Sequence, residues 1–349
     1  MKKLILSAGM IALLASCSTS KNAPISDPNV DYAAKYAATI TEKDLAKHLF
    51  VYASDEFEGR NTGEPGQKKA VKYLKDFYVQ EGIASALGGD DYFQEVPASF
   101  LNKGRRRGAP LKDSENVVAF IKGTEKPDEV LVISAHLDHE GIKNGKIYNG
   151  ADDDGSGTVA ILEIAEAFQK AAKDGRGPKR SILFLHVTGE EKGLLGSKFY
   201  VENPIFPLAN TVADLNIDMV GRIDDRHKDN PNFVYLIGAD KLSTELHDLS
   251  EAMNSKYTNI SLDYKYNDEK DPNRFYYRSD HYNFAKYNIP IIFYFNGTHE
   301  DYHQHTDTPD KINYDLLENR TRLVFHTAWE IANRDKRLVV DKPVTPPNK

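Results

Sequence analysis

Five short clusters of histidine and carboxylate residues lie along the sequence, and each could contribute to a metal site. They are Ser134–His139, Gly150–Gly157, Thr188–Gly193, Leu215–Met219 and Asp301–Asp307. Zinc takes imidazole nitrogen and carboxylate oxygen as ligands, and a catalytic zinc site keeps one position open for water. If the clusters meet in space, they supply two histidines and at least three carboxylates. That set suffices for two metal ions that share a bridging carboxylate and together activate water and a carbonyl group.

Two of the clusters place acidic residues side by side. Asp152, Asp153 and Asp154 are adjacent, and such carboxylates repel one another unless a cation neutralises them. Glu190 and Glu191 suit a division of roles, in which one carboxylate binds metal and the other accepts a proton from water. No thiolate site is expected, because the chain has a single cysteine.

The other clusters contribute histidines and isolated acids. His136 and Asp138 are two residues apart on a predicted strand, so their side chains should share a face, with the Asp138 carboxylate orienting the imidazole. Asp218 lies in an apolar run, where an unpaired carboxylate is costly to bury. His303 and His305 both fit as ligands, and spacing alone does not choose between them.

The segments between these clusters alternate between strand and helix patterns. Strands are predicted at residues 116–121, 130–134, 181–187, 212–217, 233–237 and 289–295, and helices at 66–78, 155–172, 243–254 and 313–333. Near-continuous apolar strands alternating with helices predict an α/β fold, a three-layer α/β/α sandwich around a mostly parallel, mixed central sheet. Sites in such sheets lie beyond the carboxyl ends of the strands, which is where the clusters fall.

The amino terminus is predicted to direct the chain to the cell envelope. Lys2 and Lys3 precede an apolar stretch that is too short to span a membrane, which is typical of a signal peptide. The sequence L-A-S-C ending at Cys17 resembles a bacterial lipobox, which implies cleavage before Cys17 and acylation of it. Ser18 in the next position favours the outer membrane, facing the periplasm.

Charge and composition exclude a nucleic-acid partner. The net charge is −7 over 349 residues, and nucleic-acid binding calls for a basic face. The one basic run, Arg105–Arg107, lies between glycines and is interpreted as a solvated loop.

The order of the motifs resembles that of a known enzyme family. A-H-L-D, N-G-A-D-D-D-G-S-G, G-E-E, N-I-D-M and Y-H-Q-x-x-D are similar to the ligand motifs of the co-catalytic zinc aminopeptidases, metallopeptidase family 28. The likeness runs from about Ser54 to Asn333 and includes an E-G-R-x-T-G-x-x-G stretch at Glu58–Gly66. Together with the patterns at the two ends of the chain, it predicts a signal peptide at 1–16, a lipid-anchored tether at 17–32, a single zinc peptidase domain at 33–340 and a Pro-rich tail at 341–349.

The resemblance also implies a role for each candidate residue. Two zinc ions per chain would be bound by His136, Asp153, Glu191, Asp218 and His303. Asp153 would bridge the ions, and Glu190 would be the general base. Tyr302 would steady the oxyanion, and Asp138 would orient His136. The Tyr-His spacing of the family favours His303 over His305.

The implied activity is removal of amino-terminal residues from peptides with a free N-terminus. One alternative is a glutaminyl cyclase, which shares the fold but works with one zinc ion. A carboxypeptidase would need a lid domain between the fourth and fifth motifs, where only 85 positions separate Asp218 from His303. A non-catalytic receptor domain would be expected to lack ligands, and none is missing here. The oligomeric state stays open.

Three further features are predicted to lie outside the chemistry. His139 is expected to face solvent, and His186 to be a hydrogen-bonded histidine of the core. Ser279–His281 resembles a family signature near the site, for which a structural role is expected.

Overall fold

The computed structural model describes residues 29–106 and 108–345. The predicted signal peptide, Cys17, most of the predicted tether and the last four residues of the predicted tail lie outside the described residues. Among the helices of those two ranges, none has the length and apolarity needed to cross a membrane.

Strands and helices alternate along the described chain. The strands are β1 Ala84–Ser85, β2 Phe93–Val96, β3 Ser114–Ile121, β4 Lys126–His136, β5 Gly141–Lys143, β6 Lys146–Tyr148, β7 Arg180–Val187, β8 Thr211–Ile217, β9 Phe233–Ile237, β10 Ser261–Asp263 and β11 Ile291–Phe295. The α-helices are α1 Tyr32–Ala37, α2 Glu42–Tyr52, α3 Pro65–Glu81, α4 Ala98–Leu101, α5 Gly157–Lys173, α6 Leu195–Glu202, α7 Thr244–Met253, α8 His281–Ala285 and α9 Tyr314–Asn333.

Nine of these strands form one mixed sheet with helices on both faces, which confirms the predicted fold class. The strand order is β1-β3-β7-β4-β8-β11-β9-β10, and β2 also pairs with β3. The central strands β7, β4, β8 and β11 are parallel, whereas β3 and β9 run antiparallel to their inner neighbours. The main parallel region of the sheet therefore consists of its four central strands. The link between β3 and β4 is too short for a crossover helix, so β4 runs antiparallel to β3.

Successive side chains of the central strands point to opposite faces of the sheet and pack into the core on each face. Ile182 and Phe184 of β7 pack in the larger cluster with α3, α5 and α9, while Leu183 and Leu185 pack in the cluster with α6 and α8. All four side chains are fully buried. Burial of each stabilises the fold by about 1.5–3 kcal/mol, so β7 is fixed from both sides.

Helix α5 begins just after the acidic cluster and holds it at the edge of the sheet. Its first residue, Gly157, comes three positions after the last of the adjacent aspartates, and its apolar stripe includes Ile161 and Phe168. Phe168 stacks on Trp329 of α9 with 5.6 Å between ring centroids. Because the helix is held along its length, its amino-terminal end is fixed at the carboxyl ends of the parallel strands.

Candidate metal centre

The four central parallel strands bring the predicted clusters to one edge of the sheet. His136 is the last residue of β4, Glu190 and Glu191 follow β7, and Asp218 follows β8. His303 lies in the loop after β11. Since parallel strands end on the same side, residues 167 positions apart in sequence become neighbours here.

Asp153 lies between the two candidate ligand histidines. Its Oδ1 atom is 3.0 Å from His136 Nε2, and its Oδ2 atom is 3.0 Å from His303 Nε2. Asp218 Oδ1 is 3.7 Å from His136 Nε2, and Glu191 Oε2 is 3.4 Å from His303 Nε2. The five residues, called the metal cluster below, thus form two half-sites that share one carboxylate.

The tautomer of His136 leaves its outer nitrogen free to bind a cation. The Nδ1–H group donates to the main-chain carbonyl of Asp138 at 2.9 Å, so Nε2, which faces Asp153 and Asp218, is the nitrogen that would bind a cation in place of a proton. Asp138 thus contacts His136 through its main-chain carbonyl and not, as predicted, through its carboxylate. Strand β4 ends at His136, so the alternation of side chains does not extend to residue 138. The Asp138 carboxylate instead accepts from the Thr62 hydroxyl at 2.6 Å and the Glu190 N–H at 3.1 Å.

His139 belongs to the site, and the prediction that it faces solvent is wrong. The side chain is fully buried, with Nδ1 2.8 Å from Glu191 Oε1 and 3.8 Å from Asp153 Oδ2. Gly150 makes this position possible, because a Cβ atom there would lie 2.5 Å from the His139 ring. The sequence signal for this contact is weak, since the close approach depends on two loops that follow different strands.

The other two aspartates of the acidic cluster are structural. The Asp154 carboxylate accepts the N–H groups of His136, Gly157 and Met219 at 3.1, 2.9 and 3.2 Å, which joins the ends of β4 and β8. Asp152 accepts from Asn296 Nδ2 at 3.0 Å and lies 3.0 Å from His299 Nε2.

Asp307 holds the backbone of the same acidic loop. Its carboxylate accepts the N–H group of Asp152 at 3.0 Å and that of Asp153 at 3.2 Å. The fifth motif therefore supplies both a candidate ligand, His303, and an anchor for the bridging residue.

Further contacts place the remaining motif residues. Ser279 donates to Asp218 Oδ2 at 2.6 Å and accepts from the Asn216 amide at 2.8 Å, which fits the structural role expected for its motif. Arg60 is buried and donates to the main-chain carbonyls of Asn149 and Gly150 at 2.6 and 2.9 Å. The Glu58–Gly66 segment thus fixes the loop that carries Asp153.

The other histidines named by sequence lie away from the metal cluster. His305 Nε2 is 2.6 Å from Lys146 Nζ, and its ring contacts Tyr148. Only His303 of that pair approaches Asp153 and Glu191 among the described contacts. His186 is buried in β7, where its Nε2 atom bonds the Tyr78 hydroxyl at 2.7 Å, as expected for a core histidine.

The electrostatics of the cluster fit a bound cation. Asp153 Oδ2 and Glu191 Oε1 are buried and accept no well-aligned hydrogen bond within the described chain, although His303 Nε2 and His139 Nδ1 lie 3.0 and 2.8 Å from them. Burial alone would raise the pKa of Asp153, but the contacts with His136 and His303 hold this pKa well below its ordinary value. Burial and the nearby Asp153 charge raise the pKa of Glu191. A donor set of imidazole nitrogen and carboxylate oxygen, with no thiolate, matches zinc.

A cavity of about 410 Å³ opens beside the metal cluster. Glu190 lines it, and burial together with the Glu191 charge raises the pKa of Glu190 well above its ordinary value, although His136 opposes this. Tyr302 also lines the cavity and stacks on the His303 ring at 3.9 Å between centroids. Part of the lining is apolar and is formed by Met219, Phe275, Phe293 and Phe295.

Comparison with known families gives a match that covers most of the chain. The sequence model of a family described as peptidase family M28 matches residues 116–328. This segment contains all members of the metal cluster, together with Glu190 and Tyr302.

Similar proteins come from fungi and bacteria. A probable zinc metalloprotease of Pyricularia oryzae is 33% identical over 159 residues, which is 44% of this chain and 30% of that protein. Leupeptin-inactivating enzyme 1 of Streptomyces exfoliatus is 25% identical over 333 residues, which is 88% of this chain and 66% of that protein. The chain thus spans less than two thirds of the length of either relative.

A solved structure supports the fold. The LapA aminopeptidase of Legionella pneumophila superposes with a TM-score of 0.65 at 22% identity, covering 87% of this chain and 75% of that one. At this level of identity the likeness concerns the fold.

Proposed function

Because this chain belongs to peptidase family M28, we propose that it is a zinc-dependent exopeptidase that removes amino-terminal residues from peptides. The observation that carries the proposal is the position of Asp153, whose two carboxylate oxygens each lie 3.0 Å from a different histidine. A shared carboxylate between two nitrogen ligands is the arrangement that a pair of metal ions requires.

The metal cluster would hold two zinc ions. His136 and Asp218 would serve one ion, His303 and Glu191 the other, and Asp153 both. Zinc, when bound, would polarise the scissile carbonyl and make a water molecule more acidic. Asp153 Oδ2 and Glu191 Oε1, which are buried without a well-aligned hydrogen bond, support this assignment.

Glu190 would move the protons of the reaction. Its side chain lines the cavity, and its main-chain N–H donates to the Asp138 carboxylate at 3.1 Å. A raised pKa suits a base that accepts a proton from the attacking water and returns it to the leaving amine.

Tyr302 would stabilise the negative charge that develops on the carbonyl oxygen. Burial and the nearby Asp153 charge raise the pKa of the phenol, so its proton stays available for donation. Donors aimed at developing charge in a site shielded from water usually make the largest catalytic contribution.

Hydrolysis of p-nitroanilides by the zinc-loaded protein tests the proposal. We expect release of p-nitroaniline from substrates with a free amino group and none from their N-acetyl forms. Glu190→Gln should retain zinc and lose turnover by about 10²–10⁴-fold, the range typical of a general base. Glu202→Gln, a substitution in the exposed end of α6, serves as a control that should leave both properties unchanged.

The other outcomes identify the alternatives. Pyroglutamate formation from N-terminal glutamine with one zinc ion per chain would indicate a glutaminyl cyclase. Absence of both zinc and turnover would indicate a binding domain. Near-normal turnover by Glu190→Gln would show that the base is another group.

We also propose that the protein is lipid-anchored at Cys17 in the bacterial outer membrane and faces the periplasm. The lipobox-like L-A-S-C, the apolar stretch before it and Ser18 after it support this proposal. Metabolic labelling with palmitate should modify the wild-type protein and not Cys17→Ser, which should also leave the membrane fraction. An unlabelled wild-type protein would contradict the anchor.

A further inference from the structure

One cationic side chain in the cavity has no acidic partner among the described residues. Arg278 lines the cavity beside the metal cluster and is exposed. Its guanidinium lies over the Phe275 ring, 4.8 Å from the centroid, and donates to the Tyr302 hydroxyl at 3.2 Å. Among the described residues, no carboxylate lies within ion-pair distance of it.

Other arginines near the site are already engaged. Arg222 pairs with Asp301 at 3.0 Å, and buried Arg60 donates to main-chain carbonyls. A guanidinium has five N–H donors, and Arg278 uses one described bond. The rest of its donors are therefore available to a molecule that enters the cavity.

The lining of the cavity contains both acidic and basic side chains. Asp153, Glu190, Glu191 and Asp218 contribute its carboxylates, and Arg278 is the one lysine or arginine among its described lining residues. A guanidinium that rests on an aromatic ring and faces a partly enclosed space is suited to a planar anion, which it binds with two parallel hydrogen bonds.

We propose that Arg278 binds a carboxylate of the peptide substrate, so that the enzyme prefers peptides with an acidic group next to the scissile bond. The inference rests on the proposed peptidase function and adds a substrate class to it. The carboxylate has two sources, the side chain of an N-terminal Asp or Glu and the free C-terminus of a dipeptide.

Two substrate pairs distinguish these sources. Glu-p-nitroanilide and Gln-p-nitroanilide differ in side-chain charge at nearly equal size, and Leu-Leu and Leu-Leu-amide differ in C-terminal charge. We expect the wild-type protein to prefer the charged member of one pair by about tenfold or more in kcat/KM, as a hydrogen bond to a charged group allows. The pair that shows the preference identifies the source.

Variants of two neighbouring arginines connect the preference to Arg278. Arg278→Gln should reduce the ratio within the pair to about one, since the charge-dependent contact is lost. Arg274→Gln is the matched control. Arg274 belongs to the same loop and lies over the Tyr277 ring at 4.9 Å, but it does not line the cavity, so its variant should keep the wild-type ratio.

Three results would overturn the inference while the peptidase proposal stands. The first is equal rates within both pairs for the wild-type protein, and the second is a preference that survives in Arg278→Gln. The third is an equal loss of activity by Arg278→Gln on all four substrates, which would make Arg278 a positioning residue for Tyr302. If no substrate is cleaved, the peptidase proposal fails. Calorimetry then measures the affinity for two pairs of reduced-amide analogues, Glu-Leu with Gln-Leu and Leu-Leu with Leu-Leu-amide. The difference in affinity within each pair decides whether Arg278 selects a carboxylate.

Discussion

Single hydrogen bonds decide which atoms of the metal cluster face a cation. The Asp138 carbonyl fixes the His136 tautomer, and Ser279 occupies Asp218 Oδ2, which leaves Asp218 Oδ1 toward His136. His139 has the same kind of influence on Glu191, because its Nδ1 atom lies 2.8 Å from Glu191 Oε1.

Replacement of His139 is expected to weaken metal binding. His139→Ala removes the imidazole next to Glu191, and loss of a residue that orients a ligand typically lowers metal affinity by about 10–100-fold. Competition with a zinc chelator measures the change. His305→Ala is the control, because His305 contacts Lys146 and should leave the affinity unaltered. An affinity of His139→Ala within about twofold of the wild-type value would contradict this role.

At this scale the sequence predicts which residue types converge but not every contact. The order of motifs indicates the five members of the metal cluster, and the structure brings them together. The environments of Asp138 and His139 are not predictable in this way, because both residues follow the end of β4. Beyond a strand end, the direction of a side chain depends on the turn and on loops from elsewhere in the chain.

Loop geometry around the acidic cluster is set by a glycine in the left-handed region. Gly150 has φ +53°, and a Cβ atom there would lie 2.2 Å from the Asp153 carbonyl oxygen and 2.5 Å from the His139 ring. Gly150→Ala is therefore expected to displace the bridging loop and lower zinc affinity as well as stability.

Gly145→Ala separates backbone strain from this contact. Gly145 has φ +73°, and a Cβ atom there would have no neighbour within 4 Å. Alanine at this position should therefore cost only about 1–2 kcal/mol of stability and leave zinc affinity unchanged. Urea unfolding and chelator competition on both variants provide the comparison. Equal zinc affinities for the two variants would show that the Gly150 contacts do not matter.

The elements themselves are largely predictable from apolar patterns. Strands such as β7 and β9 are continuous apolar runs, and their predicted bounds differ from the observed ones by one residue or none. Helices α1 and α2 are not among the predicted elements, although Thr41 caps α2 through a bond from the Asp44 N–H. The two-stranded β5–β6 hairpin is also absent from the prediction, because its three-residue strands carry little periodicity.

For the whole molecule, stability should depend on pH through an acid of α5 that is buried without a charged partner. Glu163 of α5 is buried, its carboxylate oxygens form no hydrogen bond within the described chain, and burial raises its pKa to about 8. His48 Nε2 is 3.7 Å away, but burial lowers the pKa of His48, so the imidazole stays neutral near pH 7.

Stability is therefore expected to fall as the pH rises between the ordinary glutamate pKa and about 8. In that range the folded chain keeps the Glu163 proton that the unfolded chain loses, so each pH unit removes up to about 1.4 kcal/mol. In urea unfolding, the wild-type free energy of unfolding should fall between about pH 5.5 and 7.5 by roughly 2–3 kcal/mol more than that of Glu163→Gln. Glu202→Gln, on α6 and within 3.9 Å of Lys198, should retain the wild-type fall. An unchanged slope in Glu163→Gln would contradict the prediction.

The sheet shows why topology is harder to predict than its elements. Alternation of strands and helices indicates the α/β class, yet the main parallel region is limited to β7, β4, β8 and β11. No local sequence pattern specifies which distant strands pair with each other. The clusters nevertheless point to the correct edge, because each follows a strand of that central group or lies in the loop before α5.

Anomalous diffraction at the zinc edge from crystals of the zinc-loaded protein tests the central claim most directly. We predict two peaks about 3.5–4 Å apart on either side of Asp153. One should be bound by His136 and Asp218, and the other by His303 and Glu191. A single peak, or peaks away from Asp153, would contradict the shared-carboxylate centre.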